Sequence, residues 1–311
     1  MRISEIEKIK NKNYVVLLPK EDYDIKESTE YSFENVFYLD YELTILDADK
    51  LIKFVNENVN TLILFDYSDF YRKILPYIRK KVKVKWVYKS SFSYMTHGFT
   101  RAIFTNIMEF YDRNIVDEIV CLNYSVYETL RHSGYNVSYL MLDVNIKTKK
   151  KNKSNSIGII GDDSNPNHNV YNELSALKLT SYDYVKLIKE MNATDHFVNF
   201  FDIKHEFCDS IDEVMSNNLV NLYCNFTNTN YELVLKSIDM NVPVILGNTD
   251  LFDKYPKLKE LLVLESDDDI NEIAYKINNV KSNIDVINNE LKKFRLDYSK
   301  KSKDIISKLI K

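Results

Sequence analysis

Short apolar runs alternate with amphipathic stretches along most of this chain, with polar loops between them. Tyr14–Leu18, Asn35–Leu39, Thr61–Phe65, Val82–Tyr88, Glu118–Leu122 and Val137–Met141 have strand length and strand composition. Between them, Asp47–Asn58, Ser68–Lys81, Gly98 to about Arg113 and Asn123 to Gly134 read as helices. In the second of these, Tyr71, Ile74, Leu75 and Ile78 share one side, and Pro76 is expected to kink or shorten it. From Leu18 to Asn35 the chain is charged and shows no helical period, so a loop is expected. Strands alternating with helices commit the chain to parallel pairing through right-handed crossovers.

The pattern stops at Lys147–Asn155 (KTKKKNKSN), a run of cations and small polar residues that reads as a solvated linker. It then restarts. Ser156–Ile160, Tyr182–Ile188, His205–Cys208, Leu219–Cys224, Pro243–Leu246 and Leu261–Leu264 are expected strands. Asn169–Leu179, Ala193–Phe201, Ile211–Ser216, a segment holding Leu233, Val234 and Ile238, and Ile270–Ile277 are expected helices. A separate long charged helix, about Asn283 to Ile310, closes the chain. With 311 residues and 45% hydrophobic content there is material for two cores. The expected fold is α/β: two Rossmann-like domains with a cleft between them. Residues 1–146 form the first, 147–155 the linker, 156–282 the second, and helix 283–311 packs back across the domains.

Composition narrows the function. A net charge of −4 with both signs interspersed gives no reason to expect a nucleic-acid partner. Cys121, Cys208 and Cys224 lie far apart in apolar runs and read as buried thiols of a reducing compartment. The N-terminus lacks an apolar signal-peptide core and no run reaches membrane-spanning length, so a cytoplasmic location is expected. The 5 glycines form neither G-x-G-x-x-G nor a Walker loop, which argues against dinucleotide redox chemistry and P-loop phosphoryl transfer.

Within the second half, residues 219–248 (LVNLYCNFTNTNYELVLKSIDMNVPVILGN) read as strand, polar loop, helix, strand. Ligands of open α/β sheets sit at the carboxyl ends of the strands, over helix N-termini. Loop 225–230 has that address. Its Asn225, Thr227, Asn228, Thr229 and Asn230 can hydrogen-bond a sugar or a phosphate; they can equally turn the chain and cap the next helix. The loop Gly161–Asn169 follows the first strand of this half. It contains Asp162 and Asp163, read as turn and cap residues, together with Asn165 and His168.

SIGIIGDD, NVYNELSALKL, HEFCDSIDEVM and LVNLYCNF…ELVLKSIDMNVPVILGN together resemble the donor-binding domain of GT-B glycosyltransferases, in particular the retaining family 4 or group 1 enzymes, over about 156–280. MNVPVILGN is similar to the family's A-x-G-x-P-V-I stretch. In the first half the resemblance rests on element order and on DEIVCLNYSVYETLRHSGYNV. It implies a glycosyltransferase of the hexosyl class that moves a sugar from a nucleotide-sugar donor to a glycan or protein acceptor in bacterial surface glycan synthesis. It implies no cofactor and no metal, and leaves room for peripheral membrane or protein-complex association.

Counted back from Pro243, the family's two glutamates fall on Asn228 and Lys236, so the motif is degenerate. Lys236 cannot accept a hydrogen bond from a ribose, which leaves Glu232, one turn earlier, or a backbone group for that role. Lys236 itself reads either as a solvated surface lysine or as a phosphate ligand. The family's pyrophosphate-clamping Arg and Lys have no counterpart in Gly161–Asn169. His168 and the N–H groups at the start of helix 169 are the substitutes, and Gly247 matches no charged role. The donor site so implied comprises Asn165, His168, Asn169, Thr227, Asn228, Thr229, Asn230, Glu232 and Lys236. His97 in SYMTHGF is the catalytic candidate, because a first-domain His often touches the donor sugar in this family. Phe92, Tyr94 and Phe99 either stack on acceptor rings or pack internally. The lost glutamates and cations favour an alternative, a catalytically inactive GT-B-like partner or chaperone of an active enzyme. A nucleotide-sugar 2-epimerase of the same fold lacks its carboxylate and His set.

Overall fold

Two all-parallel sheets carry the chain in the computed structural model, which describes residues 6, 13–19, 26–39, 43–90, 92, 98–144, 155–161, 168–182, 184–189, 192–226 and 230–311. The first sheet holds β1 (Tyr14–Pro19), β2 (Val36–Leu39), β3 (Thr61–Phe65), β4 (Lys83–Tyr88), β5 (Glu118–Cys121) and β6 (Val137–Tyr139) in the order β2-β1-β3-β4-β5-β6. Its helices are α1 (Lys26–Ser32), α2 (Ile45–Asn58), α3 (Asp69–Ile74), α4 (Gly98–Asp112) and α5 (Tyr124–His132). The second sheet holds β7 (Ile157–Ile159), β8 (Tyr184–Ile188), β9 (Lys204–Cys208), β10 (Val220–Tyr223) and β11 (Val244–Leu246) in the order β11-β10-β7-β8-β9. With it go α6 (Val170–Leu177), α7 (Asn192–Phe200), α8 (Ile211–Met215), α9 (Tyr231–Asp239), α10 (Pro256–Leu262) and α11 (Ile270–Leu309).

The chain divides into two compact units, Met1–Val144 with Ser299–Lys311, and Asn145–Tyr298. In the first, β1 is buried on both faces, as a strand covered by helices on each side must be. Val15 and Leu17 pack with Leu51, Tyr71, Trp86 and Ile107. Tyr14, Val16 and Leu18 pack with Phe33, Ile63 and the last turns of α11 through Ile306 and Leu309. Ser302 Oγ, on α11, donates to the Met141 carbonyl at 2.7 Å.

Three elements differ from the expectation. Residues 26–32 form a helix where a loop was expected; its buried side chains are Ser28 and Thr29, so no apolar stripe marks it in the sequence. Residues 256–262 are helical, opened by Pro256 at the first position, and only Val263 bridges to Leu246 where a strand was expected. The two terminal helices are one, Ile270–Leu309. Helix 68–81 is shortened to α3 with a 3-10 turn at Leu75–Tyr77, as Pro76 requires. Helix α2 begins a little earlier than its apolar pattern. Thr44 and Asp47 form a reciprocal capping box, with Asp47 N–H donating to Thr44 Oγ1 at 3.2 Å. Among the described residues, no helix is long and apolar enough to cross a membrane.

Candidate functional site

The strand order of the second sheet reverses at β7: the chain runs from β7 to β8 and β9 on one side, then returns to β10 and β11 on the other. The connections leaving β7 and β10 therefore lead to strands on opposite sides, β8 and β11, and the carboxyl ends of the strands at such a reversal are where open sheets take ligands. Helices α6 and α9 begin at these loops, so both direct the positive ends of their dipoles to this place.

At α9, Asn230 is the N-cap and its side chain accepts the Glu232 N–H at 3.0 Å. Glu232 and Lys236 are both buried, and Lys236 Nζ lies 3.3 Å from Glu232 Oε1. The solvated-lysine reading of Lys236 is thus corrected. Helix α9 is covered on several sides, burying Val234, Leu235, Ser237 and Ile238 as well, so an inward cation needs an inward carboxylate. At α6, Asn169 occupies the N-cap position without capping; its amide donates instead to the Asp267 carbonyl. His168, half-buried, stands with its ring centroid 6.0 Å from that of Tyr223, at the end of β10. His97, Asn165, Thr227, Asn228, Thr229, Asp162, Asp163, Tyr94 and the Phe99 side chain lie outside the described residues. Phe92 packs edge-on to Phe104 at 5.5 Å, on the core of the first unit.

Three residues with no assigned role complete this strand-end region. Glu173, in the first turn of α6, is 2% exposed, and its Oε1 accepts the Cys224 backbone N–H at 2.7 Å. Burial pushes its carboxyl up to about 7, against the lowering effect of that hydrogen bond, and pushes the Cys224 thiol up as well. Asp267 Oδ1 accepts the Asn248 N–H, and burial raises its carboxyl too. Gly247 lies so close to Asn225 that a Cβ there would stand 2.3 Å from the Asn225 carbonyl oxygen. Glu173 had a sequence signal: it occupies the apolar stripe of Val170, Leu174 and Leu177 on its helix. Gly247 and Asp267 had none, since their meaning comes from loops that meet only in the fold. Among the described residues, no group of three or more His, Cys, Asp or Glu is placed to hold a metal ion.

Two sheets of this connectivity, each with helices about it, make the chain a GT-B fold, the two-domain α/β architecture of one large class of glycosyltransferases. Among solved structures, an alpha-glucosyltransferase in complex with UDP-glucose and DNA containing an abasic site matches with a TM-score of 0.64 at 13% identity, covering 95% of this chain and 99% of that one. A mutant of S. aureus TarM, in complex with fondaparinux, alpha-GlcNAc-glycerol and UDP, matches with a TM-score of 0.61 at 12% identity, covering 85% of this chain and 58% of that one. The GtfA/B complex matches with a TM-score of 0.59 at 12% identity, covering 85% of this chain and 60% of the other. This chain thus spans less than two thirds of the length of the latter two. No protein-family model matches the sequence, and no curated protein does.

Proposed function

We propose that the protein is a glycosyltransferase that takes a sugar from a nucleotide-sugar donor held at the carboxyl ends of β7 and β10. The observation that carries this reading is the reversal of strand order at β7 with two helix N-termini directed at it, in a chain of GT-B fold. As the glycosidic bond to the donor breaks, negative charge builds on the departing diphosphate, and fixed N–H dipoles lower the energy of that charge. Burial pushes the Glu173 carboxyl up to about 7 and so shifts it toward its neutral form, which lessens repulsion of an anionic ligand. In this reading, loop residues Thr227, Asn228 and Thr229 with Asn230 hydrogen-bond the diphosphate or sugar. Asn165, His168 and Asn169 are the further donor ligands of this reading, the last two just before α6, and His97 is its catalytic candidate. UDP or UDP-glucose in the neighbours' complexes supports a nucleotide-sugar donor. Cell-surface glycan or protein as acceptor, and retention of configuration, belong to the same proposal.

One observation favours a second reading, an inactive GT-B-like partner of an active enzyme. Lys236, the cation nearest the α9 N-terminus in sequence, is ion-paired internally with Glu232. Isothermal titration with UDP and GDP separates the two readings. For an enzyme, one nucleotide binds, Thr227→Ala and Asn228→Ala weaken it, and slow donor hydrolysis accompanies it. Absence of binding at millimolar nucleotide rejects the enzyme.

A further inference from the structure

Cys224 is the first residue beyond β10, and its N–H is taken up by a side chain of α6 rather than left to solvent. That side chain, Glu173, is almost fully enclosed, while the Cys224 thiol donates to the Ile245 carbonyl at 3.9 Å. On the other flank, Gly247 admits the Asn225 backbone to a distance no side chain would allow. Asp267 then ties the neighbouring loops together, accepting the Asn248 N–H and the Asn169 amide. The chain leaving β10 is thus held between an acceptor on α6 and a bare backbone at the end of β11, before it reaches the Asn230 cap of α9. A carboxyl in an apolar stripe is costly to bury, and this one has a specific acceptor task.

We propose that Glu173 is a positioning residue for the donor site: it fixes where the chain turns away from β10, and so where the α9 N-terminus and its approach stand against a bound nucleotide diphosphate. Glu173 touches no substrate and acts through the Cys224 backbone. The inference rests on the nucleotide reading above. Burial favours the protonated form of Glu173, and Gln is the closest mimic of that form, with an amide oxygen as acceptor and an N–H where the acid has its O–H.

The test uses the full chain with Glu173→Gln, Glu173→Leu and Glu173→Asp. Two quantities are read: UDP affinity by calorimetry, and the rate of iodoacetamide alkylation at Cys224, located by peptide mass spectrometry. Cys121, also fully buried but in the other unit, is the internal control. Glu173→Gln is expected to hold UDP affinity within about twofold, whereas Glu173→Leu, with apolar bulk but no acceptor, weakens it about five- to tenfold, the usual consequence of one lost hydrogen bond. Cys224 alkylation rises in Glu173→Leu and not in Glu173→Gln, relative to Cys121. If that variant does not fold, Glu173→Asp, whose acceptor is drawn back by one methylene, shows both effects to a lesser degree. Wild-type affinity and wild-type Cys224 protection in the Leu variant, or in Asp where Leu fails to fold, overturn the inference. Loss of both in Glu173→Gln, with Tm unchanged, overturns it equally. Should wild type bind no UDP while Cys224 protection still follows the acceptor at 173, the donor-site role fails together with the nucleotide reading, and only the fixing of the strand exit survives.

Discussion

At residue scale, the buried groups behind the strand ends make the sharpest predictions. Glu173 is raised from 4.5 to about 7 by burial, so in the folded protein it holds its proton after the unfolded chain has released its own. Its contribution to stability is complete below pH 4.5, declines as pH rises from there to about 7, and is flat above. The difference between 4.5 and about 7 corresponds to roughly 3–4 kcal/mol as an upper figure. Glu173→Gln is therefore expected to unfold at higher urea concentration than wild type at pH 8 and to match it near pH 4.5; parallel curves at both pH values contradict this. Gly247→Ala must move the Asn225 carbonyl, since its new methyl would stand 2.3 Å away. Overpacking of this kind costs about 1–3 kcal/mol, seen as a lower Tm. An unchanged Tm would show that the two loops are free to separate.

At the scale of elements, α9 presents the clearest case. Lys236→Met leaves the Glu232 carboxylate buried without its 3.3 Å partner and is expected to cost about 3–5 kcal/mol, whereas the double substitution Glu232→Leu/Lys236→Met is close to neutral. A urea double-mutant cycle measures this; additive single costs would show that the pair is not coupled. Lys236 was unreadable from sequence because its helix is covered on several sides, and periodicity alone cannot tell an inward lysine from a snorkelling one. The strands were legible, since parallel strands buried on both faces leave apolar runs such as Thr61–Phe65 and Val220–Tyr223. Helix α1 was not, because it buries Ser28 and Thr29, and α10 was hidden because its apolar Leu261–Leu264 end is as short as a strand. The address of the candidate site, loop 225–230, followed from strand–loop–helix order. The clamp of Glu173, Gly247 and Asp267 depends on contacts between segments far apart in sequence, such as Glu173 with Cys224, and no local pattern encodes it.

At the scale of the whole molecule, two parallel sheets share one plan, each reversing at its first strand and differing in how many strands lie on either side. The order β2-β1-β3 reverses at β1 in the first, and β10-β7-β8 reverses at β7 in the second. Each unit thereby opens with the strand at its own switch point, the place where open α/β sheets take ligands. Helix α11 belongs to both units, with the division at Ser299, and its last turns complete the core of the first through Ile306 and Leu309. The proposed donor site lies at the second switch point. The most direct measurement is a crystal structure after soaking with UDP and GDP together. Nucleotide density with its diphosphate against the N-termini of α6 and α9, beside His168 and Asn230, is the expected result. A site left empty at millimolar nucleotide, or a nucleotide seated away from the carboxyl ends of β7 and β10, would contradict it.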